Sequence, residues 1–311
     1  MANLYTHQDS NIRKTWLLIA MFLGLVIGLG WLIGFALNEP GILYIAVFLA
    51  IAMNLVAYWQ SDKIALAMSG AKPVKREENL YLYRMIENLS ITAGLPQPRI
   101  YMIDSEQINA FATGRDPKHA AVAVTVGAIK KLENEELEGV LAHEMSHIGN
   151  HDILVSTVAV VLAGVVAMIA DIFFRATLWG RMGDSDNRQG GGLIILVGVV
   201  VALLAPLAAT LIRLAVSRKR EYLADASGAL LTRYPEGLAR ALEKISHDEY
   251  PMRRAHTGTA HLFISNPFKG KQSKSWLVGL FATHPPLEDR ISILRGMSAE
   301  GGSASGGKIT N

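Results

Sequence analysis

Val140-Leu-Ala-His-Glu-Met-Ser-His-Ile-Gly-Asn-His-Asp152 runs directly into ILVSTVAVVLAGVVAMIA, residues 153–170. A stretch rich in imidazole and carboxylate therefore adjoins one with no charge at all. On a helix, residues four apart share a face, so His143 and His147 can turn ring nitrogens toward one metal ion. Glu144 lies one step round the same helix, beside such an ion and not pinned to it. His151, a further turn along, is too far round to join them and is read as bonding a neighbour.

The apolar run after this motif is one of four. Half of the 311 residues are hydrophobic, above the usual share for a soluble chain. Trp16 to Leu37 and Gly41 to Trp59 are separated only by Asn38-Glu-Pro40, and each has roughly the 20 residues that span a bilayer core, so they predict a membrane hairpin. The first run has a longer apolar core than a signal peptide and no clear small-residue cleavage site after it. Ile153 to Phe174 and Leu193 to Val216 flank a polar loop, RATLWGRMGDSDNRQGGG, and predict a second hairpin, although Asp171 and Pro206 interrupt them. Arg13 and Lys14 precede the first run, Lys63, Lys72, Lys75 and Arg76 follow the second, and Arg218, Lys219 and Arg220 close the fourth. By the positive-inside rule both termini and the main polar segments face the cytoplasm, with Arg175, Arg181 and Arg188 of the polar loop weighing against it.

The net charge of +3 is spread between apolar runs and forms no basic stripe, so nucleic acid is not an expected partner. With no cysteine in the chain, disulfides and thiolate metal sites are excluded, and a metal site must use His, Asp and Glu. The polar segment before the motif reads as mixed α/β. Apolar residues at Leu80, Tyr83, Ile86 and Leu89 predict a helix over 73–92, stopped by Gly94-Leu-Pro-Gln-Pro98. RIYMID, NAFATG and AAVAVTV are short β-prone runs. Asn134 is the expected cap of the motif helix, with Glu135 and Glu136 at its positive end. The expected fold is an integral membrane α-helical protein of about four spans carrying an α+β, zincin-like domain. Its parts are an N-terminal membrane hairpin (1–60), the first polar part with the motif helix (61–152), a second hairpin (153–216), the second polar part (217–296) and a Gly/Ser tail (297–311) whose composition reads as disorder.

The His-Glu-x-x-His spacing is that of zinc metalloproteases, whose Glu is a general base. Zinc there needs a third protein ligand and an open fourth position. Glu221 follows the fourth apolar run directly, in RKREYLADASGALL, and shares a helical face with Asp225. If runs three and four form a hairpin, the residue leaving the fourth returns to the surface from which the third departed, which brings Glu221 beside His143 and His147.

NAFATG (Asn109 to Gly114), VLAHEMSHIGNHD (Val140 to Asp152), REYLADASGA (Arg220 to Ala229) and FATHPPLEDRI (Phe281 to Ile291) stand in an order and spacing that resembles the HtpX-type membrane zinc metalloproteases, relatives of the type I CAAX prenyl proteases. The resemblance implies one zinc per chain held by His143, His147 and Glu221, with Glu144 as base, Asp225 orienting a ligand histidine and His284 stabilising the oxyanion. Asn109, Ala110, Phe111 and Ala112 would pair with an extended substrate through backbone hydrogen bonds, the alternative being an ordinary strand with Phe111 in the core. The implied activity is endopeptidase cleavage of membrane or misfolded proteins at the cytoplasmic face of the inner or plasma membrane, a quality-control and stress-response task. Two other classes stay open: a narrow peptide-processing protease of CAAX type, and a membrane scaffold with a structural metal. The sequence does not speak to the oligomeric state.

Overall fold

The computed structural model describes residues 4–159, 161–162, 164–166, 217–252, 259–268 and 285–304. His284, the end of the third apolar run, the whole polar loop at 175–192 and the whole fourth apolar run lie outside the described residues. Helices α1 (Leu4–Leu37) and α2 (Gly41–Trp59) pack antiparallel across the Asn38–Pro40 turn, and both are long and apolar enough to cross a membrane. The third run begins as helix α7 (Asp152–Val166), which bends 87° away from the motif helix α6 (Asn134–Gly149). Two spans are thus present among the described residues, or three if that bent pair counts as one. Leu18, Phe22 and Val26 of α1 bury against Leu154, Val155 and Val158 of α7, so the third helix is seated on the first hairpin.

Outside these helices, α3 (Ser61–Met68) leads into a four-stranded sheet of order β1-β2-β4-β3. Its strands are β1 (Lys72–Pro73), β2 (Arg99–Ile103), β3 (Ala110–Thr113) and β4 (Ala121–Thr125), β2 and β4 being parallel and the other pairs antiparallel. The three β-prone runs read from sequence are β2, β3 and β4. Pro73 belongs to β1, opposite Tyr101, and the helix expected from 73 starts seven residues later as α4 (Leu80–Ala93). Asn79 sets that start, its side chain accepting from the Leu82 N–H at 3.0 Å, and Gly94 ends it in the left-handed region at φ 64°.

Val122 and Val124 point to one side of the sheet, onto α4, α6 and α9 (Pro235–His247), while Ala121, Ala123 and Phe111 point to the other, onto α3 and Phe263. Short α5 (Val126–Lys131) joins β4 to α6, whose first turn closes through a capping box: the Glu133 N–H donates to Glu136 at 2.8 Å. Glu133 and not Asn134 is therefore the cap, and the Asn134 side chain instead accepts from the Tyr81 hydroxyl at 2.6 Å. Helix α8 (Arg218–Thr232) lies across α6, and α10 (Leu287–Ala304) packs on α8 and α9. Met297 rests on the core, so the break expected there from Gly/Ser composition falls inside α10.

Candidate active site

Close approach of α8 to α6 builds the site. A Cβ at Gly228 would lie 3.0 Å from the His143 backbone nitrogen, so glycine lets the two helices meet at the motif itself. Gly228, Asp225 and Glu221 are spaced seven and four apart on α8, and one face therefore carries all three to α6. His143 Nε2 and His147 Nε2 lie 3.2 Å apart, Glu221 Oε1 lies 3.6 Å from His147 Nε2, and Glu221 Oε2 lies 4.0 Å from His143 Nε2. A tetrahedral ion with nitrogen and oxygen ligands at about 2.0–2.1 Å has ligand edges of roughly 3.3 Å, so small side-chain shifts fit these three atoms around one ion. Among the described residues they are the only such group of three, and His151 is not in it. His151 instead forms the turn between α6 and α7, at a left-handed φ of 57°.

Each imidazole turns its other nitrogen to a carboxylate. His143 Nδ1 lies 2.9 Å from Asp225 Oδ1, and His147 Nδ1 lies 3.0 Å from Asp152 Oδ2. This fixes both rings with Nε2 toward the shared point, the arrangement that orients metal-ligating histidines. Asp225 is gripped by Arg290 of α10 through two bonds, Nε to Oδ2 at 2.8 Å and Nη2 to Oδ1 at 2.6 Å. Arg290 Nη1 also stands 3.8 Å from Glu221 Oε2. The roles of Asp152 and Arg290 are absent from the sequence reading, although both residues stand inside its quoted motifs.

Among the described residues, buried carboxylates crowd this point: Glu144, Glu221, Asp225 and Asp152 stand with Arg290 and Arg220, a setting that favours a bound cation or, without one, proton uptake. Burial raises the Glu144 carboxyl above its ordinary value; His143, His147 and the Ala112 N–H that donates to it act the other way, and Glu221 adds to the rise. Burial works against a charged His147, but the Asp152 hydrogen bond and the Glu221 charge outweigh it and hold the imidazole up at about 9. Burial likewise opposes ionised Asp225, yet Arg290 and His143 hold it down at about 2.

β3 is an edge strand among the described residues, and its backbone alternates. The Asn109 carbonyl accepts from the Thr125 N–H at 3.0 Å and the Asn109 N–H donates to Thr125 Oγ1 at 3.0 Å, so both groups are spent on β4. By strand alternation Phe111 faces β4 as well, leaving only Ala110 and Ala112 toward the open edge. The Ala110 carbonyl accepts from Ile264, and Phe111 is a core residue edge-on to Phe263 at 5.0 Å between centroids. Asn109 instead ties β3 to residues 259–268 through its side chain, donating to the Ser265 carbonyl at 3.0 Å. Of the four residues expected to bind substrate, the geometry leaves only the Ala112 carbonyl toward the open edge, its N–H being given to Glu144.

A membrane-inserted metallopeptidase is the class that this fold and site define. Residues 76–298 match the profile of Peptidase family M48. The chain is 45% identical over 300 residues to a protein called Protease HtpX homolog in Caldanaerobacter subterraneus subsp. tengcongensis, covering 95% of this chain and 98% of that one. A protein of the same name in Pyrococcus furiosus is 46% identical over 291 residues, covering 93% and 96%. Among solved structures, the crystal structure of S. mikatae Ste24p aligns with a TM-score of 0.48 and 21% identity, over 93% of this chain and 67% of that one. The chain belongs to peptidase family M48 and is a membrane metalloprotease.

Proposed function

We propose that this chain is a zinc endopeptidase that cuts unfolded or membrane-adjacent polypeptides at the cytoplasmic face, as part of membrane-protein quality control. The observation that carries the reading is the convergence of His143, His147 and Glu221 on one point with Glu144 alongside, inside a buried, carboxylate-rich cluster. A structural zinc site fills its fourth position with protein and has no use for a base there, which disfavours a scaffold.

His143, His147 and Glu221 would hold the ion, which would supply Lewis-acid polarisation of the scissile carbonyl and acidification of a water. Glu144, whose raised pKa brings it nearer neutrality, takes the proton of the attacking water and returns it to the departing amine. Asp225, itself held by Arg290, keeps the His143 tautomer with Nε2 free, and Asp152 does the same for His147. The edge carbonyl of Ala112 pairs with an extended substrate, a backbone contact that accepts many side chains and suits broad cleavage over a narrow CAAX-type specificity. His284, six residues before Arg290, is assigned to the oxyanion on the motif resemblance alone. Residues 61–152 and 217–296 act as one catalytic body split by a membrane hairpin, a division supported by the core that α6 shares with α8 and α9.

Detergent-purified protein should contain about one zinc per chain and cleave casein in a chelator-sensitive way. Glu144→Gln should keep the zinc and lose hydrolysis by several orders of magnitude, whereas Glu221→Ala and His147→Ala should lose the zinc. Normal zinc occupancy in both ligand variants would remove the site, and near wild-type cleavage by Glu144→Gln would remove the mechanism.

A further inference from the structure

The metal-site network does not end within the catalytic body. Helix α1 has 34 residues, about 51 Å at 1.5 Å per residue, against about 30 Å of hydrocarbon. Its apolar run starts only at Trp16, so the turns before it project beyond the membrane core. Asn11 stands on those turns and is buried, 3% exposed. Its Nδ2 donates to Asp152 Oδ1 at 2.7 Å and to the Asn150 carbonyl at 3.1 Å, while its Oδ1 accepts from Arg220 Nη1 at 3.3 Å. These partners lie 139 to 209 residues away in sequence. Asp152 Oδ2 is the atom that holds His147 Nδ1 at 3.0 Å, and Arg220 Nε approaches Asp152 Oδ1 at 3.4 Å.

Two facts give this contact a function beyond packing. Asn11 bonds both sides of the 87° break between α6 and α7, gripping Asn150 before the left-handed His151 and Asp152 after it. It also meets, together with Arg220, the oxygen of Asp152 that His147 does not use, at 2.7 Å against 3.4 Å for Arg220, and so helps set where the other oxygen points. Apolar packing of Leu18 and Phe22 on Val155 and Val158 could hold α1 against α7 without any polar group at that depth. A buried side-chain amide there costs free energy unless it is bonded, and the bonds it makes lead to the site.

We propose that Asn11 is a positioning residue of the metal site: the first membrane helix reaches into the outer shell and holds Asp152 on His147, so that seating of α1 in the membrane tunes metal retention. The inference rests on the zinc reading above and adds to it that residues of a membrane span share in zinc affinity. Arg220 also contacts Asp152, so losing Asn11 weakens the hold without abolishing it.

The test is a double-mutant cycle on full-length protein in detergent, reading zinc Kd by competition with a chromophoric chelator. Asn11→Ala should raise the Kd about tenfold, the shallow end of what outer-shell partners are worth, and Asp152→Asn should raise it by up to about a hundredfold. The double variant should match Asp152→Asn within about twofold, because Asn11 acts through that carboxylate. Asn11→Asp keeps size and the acceptor toward Arg220 but sets an anion against Asp152, and should weaken zinc as well. Asn54→Leu is the control: this buried asparagine of α2 donates to the Ala50 carbonyl of its own helix at 2.9 Å, and its loss should leave the Kd alone. An unchanged Kd in Asn11→Ala, or a double variant whose defects multiply, overturns the proposal. So does failure of both Asn11 variants to fold, which would make the residue a folding element only. Wild-type protein that binds no zinc would overturn the zinc reading itself, which is a different result from zinc bound equally by wild type and Asn11→Ala.

Discussion

Replacing Arg290 by Met tests how the site is held. Arg290 is fully buried, and its guanidinium makes two bonds to Asp225 while standing near Glu221. Met keeps much of the volume and removes the charge, leaving Asp225 in the interior with His143 as its remaining partner. Breaking a buried pair from one side costs about 3–5 kcal/mol, because an uncompensated charge is left behind. The Asp225 carboxyl points the same way: despite the cost of burial it is held at about 2 against an ordinary 3.8, chiefly by Arg290 with help from His143, and its ionised form is stabilised by roughly 2–3 kcal/mol at about 1.4 kcal/mol per tenfold. Because that pKa is depressed, the contribution is present above pH 3.8 and lost as pH falls through about 2. Arg290→Met should therefore lower the midpoint of thermal unfolding by about 6–20 °C at neutral pH, at roughly 2–4 °C per kcal/mol. Arg290→Met with Asp225→Asn removes both charges while leaving an acceptor for His143, and should recover more than half of the loss. The assay is thermal unfolding of the chelated full-length protein in detergent, followed by far-UV circular dichroism. A single variant within about 1 kcal/mol of wild type, or a double variant with no recovery, would refute the reasoning.

Three further outcomes follow from the same geometry. His147 is held up at about 9 from an ordinary 6.5, so its contribution to the stability of chelated protein is full below pH 6.5 and lost as pH rises through about 9. Zinc-loaded protein should not show that loss, and matching pH profiles of the two forms would exclude the assignment. His151→Gly removes an imidazole from a left-handed turn that glycine adopts freely, and should leave zinc content and casein cleavage near wild type; loss of zinc would place His151 in the site. In this Cys-free chain, a thiol at Ser185 should react with an impermeant reagent from outside, while one at exposed Ser246 should stay protected until the membrane is opened. Outside labelling of Ser246→Cys in intact cells would invert the topology.

What was legible in the sequence was whatever a helical period or an apolar run encodes. His143 and His147 are four apart, and Glu221 follows from the order of apolar runs. Strand β4 shows as a nearly continuous apolar stretch, because its residues are buried on both faces and no polar alternation marks it, whereas β2 starts at exposed Arg99 and is only partly buried. Two shifts came from local bonding that composition does not carry: the Asn79 cap that delays α4 and the Glu133–Glu136 box that displaces Asn134. Strand direction likewise hid the fact that Asn109 and Phe111 spend their backbone on β4, since an edge is known only when its neighbour is.

Arg290 was within reach of a closer reading, and Asp152 with Asn11 was not. Leu287, Ile291 and Leu294 mark the inner stripe of α10, and Arg290 falls on that stripe, three residues after the first and four before the last. A charge at a core position needs a buried partner, and Asp225, in the motif already assigned to the site, was the acid to look for. Asn11 offers no such signal. It precedes an apolar run whose composition says only that it crosses a membrane, and its partners come from positions 150, 152 and 220. Their meeting depends on how α1 slides against α7, which is settled by Leu18 and Phe22 packing on Val155 and Val158 and by nothing local to residue 11. The ligand set is a property of two short motifs, but its rigidity is a property of the membrane bundle. On the proposal made above, the metal site would therefore be complete only when the first span, the bend before the third helix and the helix of Glu221 are all in place.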